Sequence, residues 1–110
     1  MRIIGPCYIG DDVYISAGSV IERACIYNSV FIDRDVKVSD SIILGGSKVG
    51  WQTVIRDSVI SHNCQIEEDV TLISSIVGDN MSVKIHSRLE QANITPPATN
   101  NGNGNNIQQD

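Results

Sequence analysis

The sequence predicts an all-β protein built as one parallel solenoid of triangular coils. Three observations predict it. Aliphatic residues lead short phrases of five, six and six residues, and that rhythm repeats every seventeen. Residues that tolerate a left-handed backbone sit at the corners between phrases. Residues seventeen apart on the outside form chemically sensible pairs.

The leaders come first. Ile4, Ile9 and Ile15 open the chain, followed by Ile21, Ile26 and Ile32, then Val38, Ile43 and Val49. Ile55, Ile60 and Ile66 lead the fourth coil, and Leu72, Val77 and Val83 the fifth. Leu89 and Ile94 begin a sixth before Pro96 and Pro97 break the pattern. Apolar positions five and six apart scatter around a helix of 3.6 residues per turn, so no amphipathic helix fits. A short strand, a corner and a second short strand on the next wall does fit. Five coils stacked at about 4.8 Å give a solenoid roughly 24 Å tall. β-branched leaders suit such strands, where they pack against identical neighbours above and below.

The corners follow. In the six-residue phrases the fourth residue is Asp12, Gly18, Ser29, Asp35, Gly46, Gln52, Asn63, Asp69, Asn80 or His86. Most are Asp, Asn or Gly. The five-residue phrases place Ser41, Ser58 and Ser75 at the equivalent position. A second column four residues behind each leader is mostly small or apolar and is expected to fill the corners of the core. It runs Tyr8, Cys25, Ile42, Val59, Ile76 in the five-residue phrases, and includes Val13, Val30, Ser47, Cys64 and Met81 in the next. The third phrases put Ser19, Val36, Thr53, Val70 and Ser87 there.

Stacking makes neighbours of outward residues seventeen apart. It predicts ion pairs Arg23–Asp40 and Glu67–Lys84, an aromatic stack Tyr14–Phe31 and a cation–π contact Arg34–Trp51.

Composition bounds the rest. A chain of 110 residues amounts to one domain. Its apolar runs are far too short to span a membrane. Eight Lys and Arg against thirteen Asp and Glu, with no basic run, argue against nucleic-acid binding. Cys7, Cys25 and Cys64 form neither a CxxC zinc motif nor an even disulfide set, so they read as small hydrophobes. No secretory leader follows Met1, and a cytoplasmic location is expected. The solenoid is assigned to residues 3–94. Residues 95–110, rich in Asn and Gly, cannot bury enough surface to order themselves and are expected to be a flexible tail.

The phrases IGPCYIGDDVYI, DSIILGGSKVG, RDSVISHNCQI and SSIVGDN resemble hexapeptide-repeat, left-handed parallel β-helices. More narrowly they resemble the C-terminal domain of sugar-phosphate nucleotidyltransferases, of the mannose-1-phosphate guanylyltransferase and glucose-1-phosphate thymidylyl- or adenylyltransferase type. The resemblance rests on the seventeen-residue coil and on an [NDS]-S-[VI]-[IVF] phrase at Asn28, Asp40, Asp57 and Ser74. It implies left-handedness. It also implies a role in nucleotide-sugar biosynthesis. In that family the chemistry belongs to a separate N-terminal domain whose signature resembles GxGTRLxPxT. No such motif stands in this sequence, so no catalytic residue, metal ligand or cofactor carries over. The expectation is a module that oligomerises or regulates, beside a fused or separate catalytic domain.

The alternative is a hexapeptide-repeat acyltransferase acting on a sugar or amine with acetyl-CoA. It needs a histidine base. Only His62 and His86 are available, His62 being the better candidate, and the long loop typical of such enzymes is missing from the repeat. Two histidines are also too few for the three-histidine zinc site of a γ-type carbonic anhydrase. The glycines of LGGSKVG lack the GK[ST] of a phosphate loop and read as corners. The outward apolar residues Tyr14, Val20, Phe31, Trp51 and Val54 are expected to form a contact surface, in a homodimer or homotrimer.

Overall fold

A computed structural model describes residues 1–95. The chain winds through three parallel sheets, the walls of a triangular prism. The first wall holds β1 (Arg2–Ile4), β4 (Val20–Glu22), β7 (Lys37–Ser39), β10 (Val54–Arg56), β13 (Thr71–Ile73) and β16 (Arg88–Glu90). The second holds β2 (Tyr8–Ile9), β5 (Cys25–Ile26), β8 (Ile42–Ile43), β11 (Val59–Ile60), β14 (Ile76–Val77) and β17 (Asn93–Ile94). The third holds β3 (Tyr14–Ile15), β6 (Phe31–Ile32), β9 (Lys48–Val49), β12 (Gln65–Ile66) and β15 (Ser82–Val83). Five coils and two walls of a sixth are therefore present. Residues 96–110, nearly all of the expected tail, lie outside the described residues.

The leaders make the core. From Ile21 to Val83 every leader is at most 3% exposed. Ile9 and Ile15 in the first coil are only half-buried, since no coil lies beneath them.

The first coil departs from the expected register. Ile21 pairs with Ile3, not Ile4, and Ile4 stands opposite Glu22 in an outward column. Later coils turn this corner on one left-handed residue: Arg23, Asp40, Asp57, Ser74 and Gln91 have φ between 48° and 55°. Pro6 cannot adopt that conformation because its ring fixes φ near −65°. The first corner is built differently and takes one extra residue.

All ten expected corners of the six-residue phrases are left-handed, with φ from 56° to 79°. The five-residue phrases differ from expectation. Their left-handed residue comes one position earlier, so Ser41, Ser58 and Ser75 do not sit at the corner but turn inward, at 4%, 2% and 1% exposure. The same shift turns the column Tyr8, Cys25, Ile42, Val59, Ile76 outward, where it was expected to fill the core.

Buried hydroxyls knit the coils together at these corners. The Ser58 backbone N–H donates to Ser41 Oγ at 3.0 Å, Ser75 N–H to Ser58 Oγ at 3.0 Å, and Ala92 N–H to Ser75 Oγ at 3.1 Å. Each hydroxyl donates in turn to the carbonyl two residues before it, at 2.7 to 2.9 Å. Ser47 plays the same part at another edge, accepting from Cys64 N–H and donating to Ser61 O. Without these hydroxyls the inward N–H groups at the corners would be buried and unpaired.

Candidate functional site

Each corner orders one set of outward groups, so any site must be assembled from neighbouring coils. Two of the four expected pairs form. Arg23 Nε and Nη2 donate to the two carboxylate oxygens of Asp40 at 2.7 and 2.9 Å. Tyr14 and Phe31 stack with ring centroids 5.2 Å apart and planes 7° from parallel. The other two do not form. Glu67 Oε1 accepts the Ile85 backbone N–H at 3.1 Å instead of meeting Lys84. No Arg34–Trp51 contact is found among the described residues. Long side chains on a solvated column have many competing partners, and a backbone donor fixed by the corner outcompetes a mobile ammonium.

A shallow hollow of about 410 Å³ lies on the third wall. Phe31, Lys48, Gly50, Glu67 and Ile85 line it, with Asp33 and Glu68 beside them. Gly50 opens the hollow and is also required by packing, because a Cβ there would meet the Glu67 carbonyl carbon at 2.7 Å. The hollow sets one ammonium among three carboxylates on an open surface. Such a dish is open to solvent and encloses no place for a reacting group.

The histidines stand on two different edges. His62 lies between the second and third walls, with Nδ1 3.3 Å from Asp79 Oδ1. His86 lies between the third and first walls, with Nδ1 2.8 Å from Asp69 Oδ2. Both rings are more than half exposed, and neither lines the hollow. Each pair is a step in the corner ladder, where one coil's side chain meets the next. Asp79 Oδ1 also accepts the His62 backbone N–H at 3.1 Å, as Asn28 Oδ1 accepts Asp11 N–H at 2.8 Å.

The three thiols are free. Burial pushes the Cys64 thiol up, and its Sγ donates to Gly78 O at 2.9 Å, so it remains a protonated core group and not a nucleophile. No group of three or more possible metal ligands is found among the described residues. No helix of the described residues is long and apolar enough to cross a membrane.

The five expected contact residues divide between two walls. Tyr14 and Phe31 are on the third wall, Val20 and Val54 on the first with Lys37 between them, and Trp51 is at the edge where those walls meet. Tyr14, Phe31 and Trp51 are exposed, Val20 and Val54 half-buried. A further exposed apolar surface lies on the second wall, built from residues that the sequence pattern assigns to the interior. One feature marks it in the sequence: Tyr8, Cys25, Ile42, Val59 and Ile76 hold no charge in any coil. Tyr8 and Tyr27 add a tilted aromatic pair on the same wall, with centroids 5.3 Å apart.

Comparison with known proteins agrees with this architecture. Residues 3–106 match the family model described as GMPPB C-terminal domain. Glucose-1-phosphate adenylyltransferase of Desulfitobacterium hafniense, in each of two strains, is 38% identical over 71 residues, covering 62% of this chain and 18% of the relative. Glucose-1-phosphate adenylyltransferase of Photobacterium profundum is 34% identical over 71 residues, covering 60% of this chain and 16% of the relative. The chain thus spans less than a fifth of the length of these relatives. With its stacked parallel coils, seventeen residues each after the first, and the match reaching from residue 3 to residue 106, the chain belongs to the GMPPB C-terminal domain family, the β-helix that closes sugar-phosphate nucleotidyltransferases.

Proposed function

We propose that the chain is a non-catalytic module of nucleotide-sugar biosynthesis, one that assembles or regulates a nucleotidyltransferase whose catalytic domain is fused to it or carried separately. The observation that supports this reading is the distribution of its chemistry-bearing groups along the repeat. His62, His86 and the carboxylates pair stepwise between adjacent coils on separate edges, and do not converge on one reacting centre. The family match supplies the context of sugar-phosphate nucleotidyl transfer. The three free thiols suit the reducing cytoplasm, where the proposed role is placed.

The test measures pyrophosphate release from a nucleoside triphosphate and a hexose 1-phosphate by a nucleotidyltransferase catalytic domain, with this chain fused, added or left out. A change in turnover, effector response or assembly state on including the chain supports the proposal. No change in any of the three rejects it. Release of CoA from acetyl-CoA and an amino sugar by the chain alone, abolished in His62→Ala, rejects it in favour of acyl transfer.

A further inference from the structure

The second wall differs from the other two in charge. Outward positions of the first wall include Arg2, Glu22, Lys37, Arg56 and Arg88, and those of the third include Lys48 and Lys84 with acidic neighbours. On the second wall the leaders point inward, and each is flanked by two outward residues. One outward column is the stripe that starts at Tyr8 and ends at Ile76. The other is Gly10, Tyr27, Leu44, Ser61, Gly78. Neither column contains Asp, Glu, Lys or Arg across five coils, in a chain of net charge −5. Tyr8, Tyr27, Ile42 and Ile76 are all exposed there.

The two columns also compensate in size. Tyr8 shares its coil with Gly10, Tyr27 with Cys25, Val59 with Ser61, and Ile76 with Gly78. Only the central coil carries two residues of equal size, Ile42 and Leu44.

We propose that the second wall docks a second copy of this chain, face to face, about a twofold axis parallel to the solenoid axis. This deepens the assembly role proposed above and rests on it. Such an axis sets each coil against the same coil of the partner and exchanges the two columns. Tyr8 then faces Gly10 of the partner subunit, Cys25 faces the partner's Tyr27, and Ile76 faces the partner's Gly78, large against small at each step. A twofold contact sets a surface against itself, so net charge on the face would meet its own sign. The uncharged wall avoids that cost, which matters between two copies that each carry −5. Six strands spaced about 4.8 Å apart and a wall about five residues wide give roughly 500 Å² per copy. The total of about 1,000 Å² is at the lower bound for a specific interface, so the dimer is weak and concentration-dependent.

Sedimentation equilibrium on the 110-residue chain tests this, with the melting transition recorded for every variant. The expected result is a reversible rise from 12.0 kDa towards twice that mass with concentration. Ile42→Glu, at an exposed position on the central coil, weakens dimerisation about 100-fold or more, because each copy then buries an unpaired carboxylate against the partner's Leu44. Ser61→Tyr removes the fit to Val59 and weakens it about tenfold. Phe31→Glu on the third wall leaves it unchanged. In a background with Cys25→Ser, a mixture of Ser61→Cys and Val59→Cys chains forms a mixed disulfide on mild oxidation. A monomer at all concentrations overturns this docking and removes self-association from the assembly reading. An oligomer that withstands Ile42→Glu and Ser61→Tyr but dissolves with Phe31→Glu overturns the second wall alone and leaves the assembly reading standing. A cross-link between Ser61→Cys and Tyr27→Cys chains in place of the Val59→Cys pair overturns the axis.

Discussion

Arg23 and Asp40 occupy the same corner in successive coils, both with left-handed φ, and their side chains close a two-point ion pair at 2.7 and 2.9 Å. Arg23 also reaches its own neighbour Glu22 at 2.7 Å, so one guanidinium serves two carboxylates. The hydrogen bond from Arg23 holds the Asp40 carboxyl below the usual carboxylate range; desolvation partly offsets this, and the charges of Arg23 and Arg56 add to it. A depressed carboxyl stabilises the fold above its unfolded value, near pH 4, and that contribution is lost as pH falls through the folded value. Both side chains are solvent-exposed, so the effect is small. Asp40→Asn, which keeps a residue tolerant of this backbone, melts slightly lower than the parent at pH 7, and the gap closes in acid. A gap that widens below pH 4 contradicts the pairing.

The register is tested at the centre of the stack. Ile43 has no exposed surface and has coils both above and below it. Ile43→Asp places a lone carboxylate in an aliphatic core, where burial costs several kcal/mol or more, approaching the whole stability of a domain of about this size. The variant is expected to be unfolded by circular dichroism. Asp57→Asn, at an exposed left-handed corner, should melt within about 0.5 kcal/mol of the parent. A cooperative melt of Ile43→Asp would place that residue outside the core.

The serine ladder makes a separate prediction. Removing the Ser58 hydroxyl leaves the buried Ser75 N–H without its acceptor. Ser58→Ala should destabilise by about 1–3 kcal/mol, the cost of an orphaned buried donor. Hydrogen exchange at the Ser75 amide should accelerate more than at Ile60, whose strand pairing is untouched. Equal acceleration at both would mean that the loss is global and not local to the ladder.

Corner chemistry predicts one gain and one loss. Gln52 holds φ 61°, a conformation that costs most residues about 1–2 kcal/mol and Asn less. Gln52→Asn should stabilise by about 0.5 kcal/mol in chemical denaturation. Gly46, at φ 77°, has the Asn63 carboxamide oxygen where a Cβ would go. Gly46→Ala should therefore destabilise by about 1–2 kcal/mol or more. If both variants left the midpoint unchanged, the corners would be more pliable than their geometry implies.

The period of seventeen, read from the sequence, determined which residues stack on which. That follows because adding a fixed number of residues per coil brings each side chain back over its predecessor, whatever the path between. Hence the leaders from Ile9 onward, the ten six-residue corners, Arg23 over Asp40 and Tyr14 over Phe31 were all legible. The direction of a side chain beside a corner was not legible, because it depends on which residue takes the left-handed φ. In the five-residue phrases that residue comes one step early, and the backbone flip sends Ser58 inward and Ile42 outward. Ile42 is apolar and Ser58 polar, so composition alone argued for the opposite placement. Only the stacked structure reverses it, because a buried hydroxyl can satisfy the N–H of the coil above while an exposed isoleucine needs only a surface to meet. The first coil shows the same division: Pro6 was visible in the sequence, but the extra residue that sets Ile3 and not Ile4 opposite Ile21 depends on how the chain rounds a corner with no coil beneath it.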